Sequence, residues 1–118
     1  MRIETLCTGD ELLTGLTSDT NSRFFQSLLL DRLGVSVRRS TVVGDRHDEI
    51  TSALIELSKR CDVVLVSGGL GPTSDDITLQ CAAAAANVRL IENELVISHI
   101  QEGFRKRGLE MTPNNRRQ

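Results

Sequence analysis

Short apolar runs of strand length alternate with longer stretches of helical period along this chain, and that alternation constrains the fold more than any other feature. Residues 2–7 (RIETLC), 35–43 (VSVRRSTVV) and 62–67 (DVVLVS) read as strands. The last is the most continuously apolar, which points to a central strand buried on both faces. Over residues 20–33, Phe24, Phe25, Leu28, Leu29 and Leu33 share one helical face, with Asp19 or Thr20 as N-cap and Gly34 as the stop. Ile50, Ala53, Leu54 and Leu57 follow the i, i+3, i+4, i+7 template of a second helix, with Asp48 as its N-cap. A helix with a small-residue face over 77–86, a short edge strand over 88–91 (VRLI) and a helix over 93–107 ended by Gly108 complete the pattern. The expected fold is α/β, a three-layer sandwich with a mostly parallel sheet and right-handed crossovers. Ligands of such sheets bind beyond the carboxyl ends of the strands, which directs attention to the loops leaving them.

Composition narrows the function classes. The 118 residues make one domain, with a modest core. A net charge of −2 and only three aromatic residues offer neither a basic field nor stacking platforms, so no nucleic-acid partner is expected. Cys7, Cys61 and Cys81 form no CxxC and, with two histidines, no zinc spacing; they read as small buried hydrophobes of a reducing, cytoplasmic protein. His47 reads as a solvated residue near a helix start, His99 as an ordinary helix residue, and Arg105–Arg107 as cations suiting a helix C-terminus. No apolar run is long enough for a signal peptide or a membrane span. The MTPNNRRQ end is polar loop chemistry with no closing element, so the expectation is one domain over residues 1–118, truncated at its C-terminal end.

The chemistry gathers after the three strands. TGDELLTG follows the first, where Gly9 permits a tight turn and Asp10 and Glu11 bring carboxylates to the sheet edge. GDRHDE follows the second and places Asp45 at the same edge; SGGLGPTSDD follows the third. In that last loop Gly68, Gly69 and Gly71 let a ligand approach the main chain, whose N–H groups make an anion nest at a helix N-terminus. Ser67, Thr73, Ser74 and Thr78 add hydroxyls. The loop is neither a Walker A sequence nor a dinucleotide fingerprint. The plain alternative is a tight strand-to-helix turn with Asp76 as N-cap.

Carboxylates beside a phosphate cradle repel its ligand unless a cation lies between. A divalent metal (magnesium, manganese or cobalt) held by Asp10, Glu11 and Asp75 reconciles the two, since hard cations take carboxylate and phosphate oxygens together. Asp45, Asp75 and Asp76 are the catalytic candidates, a carboxylate off the metal serving as base for water. The other reading has Asp75 or Asp76 contacting sugar or pterin donors with no metal on it.

TGDELLTG, SDTN, VVGD, SGGLGPTSDDIT and NNRRQ, in this order and spacing, closely resemble the N-terminal domain of the CinA (competence/damage-inducible) family, which is similar to the molybdopterin-binding fold of MoaB and MogA. The resemblance covers essentially the whole chain, and GDELL with GGLGPTSDD is its most specific part. It implies metal-dependent hydrolysis of the diphosphate in ADP-ribose or a similar dinucleotide. It supports Asp10, Glu11, Asp19, Asn21, Asp45, Gly68, Gly69, Gly71, Thr73, Asp75, Asp76 and Thr78 as site residues, and Asn115–Gln118 looks like a further family element. The nicotinamide-mononucleotide deamidase domain of some longer members has no counterpart in this sequence. Two alternatives stand beside the pyrophosphatase: a molybdopterin-binding or adenylyl-transfer module, and a non-catalytic oligomerising domain. The expected partner is a nucleotide diphosphate or pterin small molecule, with a homo-oligomer, dimer or trimer, as the assembly.

Overall fold

A computed structural model describes residues 1–117. The three expected long strands form as β1 (Ile3–Thr8), β2 (Val37–Val43) and β3 (Val63–Ser67). The helices are α1 (Asp10–Leu13), α2 (Thr20–Leu33), α3 (His47–Arg60), α4 (Thr78–Ala85) and α5 (Glu94–Lys106), followed by a 3-10 turn over Pro113–Arg117. Both strand pairings are parallel, in the order β2-β1-β3, with Leu6 opposite Thr41 on one side and Val66 on the other.

The central strand is β1, not β3 as continuous apolarity predicted. All six β1 residues are buried, whereas β3 pairs only with β1 among the described residues and leaves Val63 37% exposed. Polar residues disguised β1 in the sequence, yet each finds a partner inside. Glu4 accepts from Arg60 Nη2 of α3 at 2.8 Å, Thr5 Oγ1 lies 3.1 Å from Ser22 Oγ of α2, and Thr8 Oγ1 lies 3.1 Å from Thr78 Oγ1 of α4. Successive β1 side chains therefore face opposite layers, Thr5 and Cys7 toward α2, and Glu4 and Thr8 toward α3 and α4. Leu6, Ile50, Leu57 and Cys81 are the apolar residues buried deepest.

Several local expectations are corrected. α2 turns Ser22, not an apolar side chain, into the interior; Phe24 and Leu33 of its supposed buried face are 61% and 62% exposed. Asp19 is its N-cap, accepting from the Ser22 N–H at 2.9 Å. Asp48 does not cap α3, which begins one residue before it; it lies in the first turn, where an acid suits the helix dipole. The 88–91 segment forms no strand and pairs with none among the described residues, and Ile91 is 84% exposed. Asp76 does not cap α4, whose N-cap is Ile77 with no side-chain bond. α1 and the 3-10 turn arise where only loop was expected. Cys7 and Cys81 are buried as expected and Cys61 half-buried, all three as free thiols.

Candidate functional site

The order β2-β1-β3 sends the chain from β1 to one neighbour and then across to the other, placing α2 on one face and α3 on the opposite face. That reversal opens a crevice at the carboxyl end of β1, the usual ligand position in an open parallel sheet. The loops after all three strands meet there.

The first two loops are locked together through their acids. The Asp10 N–H donates to Asp45 Oδ2 and the Asp45 N–H to Asp10 Oδ1, each at 3.1 Å. Gly44 makes the approach possible, since a Cβ there would lie 2.6 Å from Asp10 Oδ1. Burial raises the Asp45 carboxyl above its usual range; the Asp10 N–H opposes this, while the charges of Asp10, Glu11 and Asp75 push it up further. Asp45 thus feels three of the other carboxylates expected at this edge. No three such groups among the described residues form a cluster that could hold a metal ion unaided.

Glu11, Asp19, Asn21, Ser67 and Gly68 line a common cavity of about 120 Å³ with Cys7 and Thr20. Cys7, which the sequence marked only as a small hydrophobe, lies with its Sγ 3.2 Å from Ser22 Oγ and 3.0 Å from Ser67 Oγ. Burial pushes its thiol up, so it is a neutral wall of this cavity. Burial also pushes Asp19 up, but hydrogen bonds from Ser22, Cys7 and the Asn21 N–H outweigh it and hold the carboxyl below its usual range. A stable anion therefore borders the cavity.

The glycine loop folds around its own hydroxyls and one acid. Gly68 and Gly69 have positive φ, 93° and 59°, and a Cβ on Gly68 would collide with the Thr8 carbonyl. Thr78 Oγ1 donates to the Gly68 carbonyl at 2.9 Å, and the Thr78 N–H donates to the Gly69 carbonyl at 3.2 Å. Asp76 Oδ2 accepts from the Thr73 N–H at 2.8 Å and from Thr73 Oγ1 at 2.5 Å, beside Gly71, where a Cβ would lie 2.7 Å from the same oxygen. Hence Asp76 and Thr73 bind each other, and Thr78 faces inward. Ser74 Oγ donates to the exposed Asp75 at 3.1 Å. Gly9 is buried, its N–H bonded to the Val43 carbonyl at 3.1 Å, which ties the first loop to β2.

Asn115 is not among the residues lining this cavity; its Oδ1 accepts from the Thr112 N–H at 2.8 Å and Thr112 Oγ1 at 2.7 Å. The rest of that expected element includes Gln118, outside the described residues. His47 and His99 are exposed, and Arg105 and Lys106 pair with Glu102. Sequence reasoning missed Thr8, Cys7 and Gly44; the only signal for the threonine was its place between a strand and Gly9.

A family model described as "Probable molybdopterin binding domain" matches residues 4–116. A CinA-like protein of Myxococcus xanthus is 52% identical over 114 residues, covering 97% of this chain and 27% of that protein. One of Anaeromyxobacter dehalogenans (strain 2CP-1) is 48% identical over 118 residues, covering 100% of this chain and 29% of its own length. The chain thus spans less than a third of these curated relatives. The crystal structure of the protein CinA from Thermoplasma acidophilum superposes with a TM-score of 0.87 at 33% identity, covering 98% of this chain and 67% of that one. The tungsten cofactor synthesizing protein MoaB from Pyrococcus furiosus shares the fold, with a TM-score of 0.66 at 20% identity and coverage of 94% and 69%.

Proposed function

This chain belongs to the molybdopterin-binding domain family, as a CinA-like member, and from that premise we propose that its crevice binds a nucleotide diphosphate and hydrolyses the phosphoanhydride of ADP-ribose or a similar dinucleotide with a divalent metal. The observation that carries this reading is that Asp45, raised by the charges of Asp10, Glu11 and Asp75, lies with them beside the glycine loop at the reversal point of the sheet. A diphosphate and a cation satisfy both halves of such a site. No three acids among the described residues sit as one metal-holding group, so one or two of Asp10, Glu11 and Asp75 would hold the metal, with substrate phosphate oxygens and water supplying the rest, a mode that magnesium favours. When bound, the metal polarises the phosphoryl group and lowers the pKa of attacking water.

The chain's own residues have separate tasks. The loop's main-chain N–H groups orient the diphosphate. Asp45, its carboxyl raised by burial and by its neighbours, takes the proton from water as the oxygen adds to phosphorus and the bridging P–O bond breaks. The products are AMP and ribose phosphate. Asp19 and Asn21, on the wall of the adjoining cavity, offer hydrogen bonds to sugar hydroxyls.

A second reading, pterin binding or adenylyl transfer over the same loop, is favoured by the description of the matching family model. Incubating the protein with ADP-ribose and magnesium, manganese or cobalt separates the two: the first reading expects AMP and ribose phosphate, abolished by chelator, and the second expects tight pterin binding without cleavage. Asp75→Asn is expected to lower turnover by about 10²-fold, and a fully active, folded variant refutes its role. Large exposed apolar residues, among them Leu16, Ile91 and Leu95, support a dimer or trimer, which sedimentation tests. The three free thiols fit a cytoplasmic setting.

A further inference from the structure

Two buried threonines at the root of the glycine loop have no role in the chemistry above. Thr8 ends β1 and Thr78 opens α4; they are 2% and 3% exposed, and their hydroxyl oxygens lie 3.1 Å apart. Thr78 has one hydroxyl proton, which it gives to the Gly68 carbonyl at 2.9 Å. The proton between the two threonines must therefore come from Thr8. The result is a one-way chain, from the Thr8 O–H to the Thr78 oxygen, and from the Thr78 O–H to the Gly68 carbonyl.

The consequence lies in peptide geometry. No peptide bond among the described residues is cis, so each carbonyl points opposite to the N–H of the same peptide unit. Holding the Gly68 carbonyl against Thr78 turns the Gly69 N–H the other way. The Thr78 N–H holds the Gly69 carbonyl at 3.2 Å and turns the Leu70 N–H the other way in turn. Among the described residues, no main-chain oxygen accepts from the Gly69 or Leu70 N–H. Gly68 and Gly69, with φ of 93° and 59°, sit in a region where glycine peptides reorient at little steric cost, so backbone preference alone does not set these peptides.

We propose that Thr78, oriented by Thr8, is a positioning residue that sets the Gly68–Gly69 and Gly69–Leu70 peptides with their N–H groups toward an anionic ligand. The hydroxyls touch no substrate; they fix which side of the loop is electropositive. This rests on the reading of the crevice as a diphosphate site, and assigns Thr78 a positioning part in place of the direct ligand contact expected of it.

The test compares Thr78→Val, which removes the proton at nearly constant volume, with Thr78→Ser, which retains it. Thr78→Ala removes the same proton without filling the space, and serves if valine prevents folding. In ligand-free protein, the Gly68 carbonyl carbon and the Gly69 and Leu70 amide resonances are expected to shift in the valine or alanine variant and stay near wild type in serine. Titration with ADP-ribose or inorganic pyrophosphate in the presence of magnesium is then expected to show at least a tenfold loss of affinity without the hydroxyl and rescue by serine, with melting curves confirming folded protein. Unchanged loop resonances without the hydroxyl overturn the positioning role. If the resonances move but wild-type protein binds neither probe, the clamp stands and the diphosphate reading fails. Equal affinity in wild type and the hydroxyl-free variant overturns the proposal outright.

Discussion

Burial, followed by the charges of Asp10, Glu11 and Asp75, raises the Asp45 carboxyl above its usual range, against the pull of the Asp10 N–H. A raised folded-state value means that folding favours the protonated form. The stabilising contribution of Asp45 is complete below its unfolded pKa and is lost as pH rises through the folded value. At neutral pH its charge opposes folding, and it is held there by the structure around it. Asp45→Asn keeps an oxygen for the Asp10 N–H and removes the charge. The variant is expected to melt higher than wild type at neutral pH, with the gap closing as pH falls into the carboxylate range, where wild type is neutral as well. Thermal melts across that range check this; a constant gap removes the electrostatic account. The same substitution is expected to abolish ADP-ribose turnover, so stability and activity move in opposite directions at one residue.

Helix ends were legible where a side chain marks them, and this decides which elements the sequence disclosed. α2 runs over the predicted span because Asp19 caps one end and left-handed Gly34 closes the other. α1 was hidden because its four residues, DELL, are too few to display a period. The place of β1 at the sheet centre was hidden by Glu4, Thr5 and Thr8, whose polarity argues against burial until their partners on three helices are known. The segment 88–91 shows the reverse error, apolar residues that suit a strand but meet no partner strand. In the site, the glycines and acids were visible because those residue types gather where strands end. Thr8 and Cys7 were not, because their roles depend on neighbours more than ten residues away. The two capped helices should respond differently to loss of their caps. Asp19→Ala is expected to cost about 1 kcal/mol in global stability by urea unfolding, since α2 is joined to β1 through Ser22. Asn93 caps α5 by accepting from the Leu95 and Val96 N–H groups, but that helix buries only Ile97 fully. Asn93→Ala is therefore expected to appear as faster amide exchange along α5 with little change in the urea midpoint. Equal global losses in the two variants contradict this division.

At the scale of the whole molecule, the ligand and the core depend on the same strand. Among the described residues, seven buried apolar side chains form the core, three of them on β1, and the crevice lies at the end of that strand. With so small a core, ligand binding of the proposed kind would form a large share of the total stability. On the proposed reading, a diphosphate at the crevice would also join the loops after β1, β2 and β3, the same three strands that the sheet holds together. Unfolding must then release the ligand, and the folded state gains by mass action. At a free ligand concentration a hundredfold above Kd the gain is about 2.7 kcal/mol. For a domain near this size that corresponds to a rise in melting temperature of roughly 10 °C. ADP-ribose with a divalent metal is expected to produce such a shift. Because the four carboxylates repel an uncompensated diphosphate, ADP-ribose with chelator is expected to produce little. Slow turnover is a condition of the measurement, so Asp45→Asn with ADP-ribose and metal, read against its own ligand-free melt, provides a second comparison if the wild type consumes its ligand during the scan. A full shift in chelator points to a site in which Asp75 or Asp76 bonds to sugar or pterin donors instead of a cation. A shift with pterin alone moves the chain to the binding-module reading without disturbing the fold that supports both.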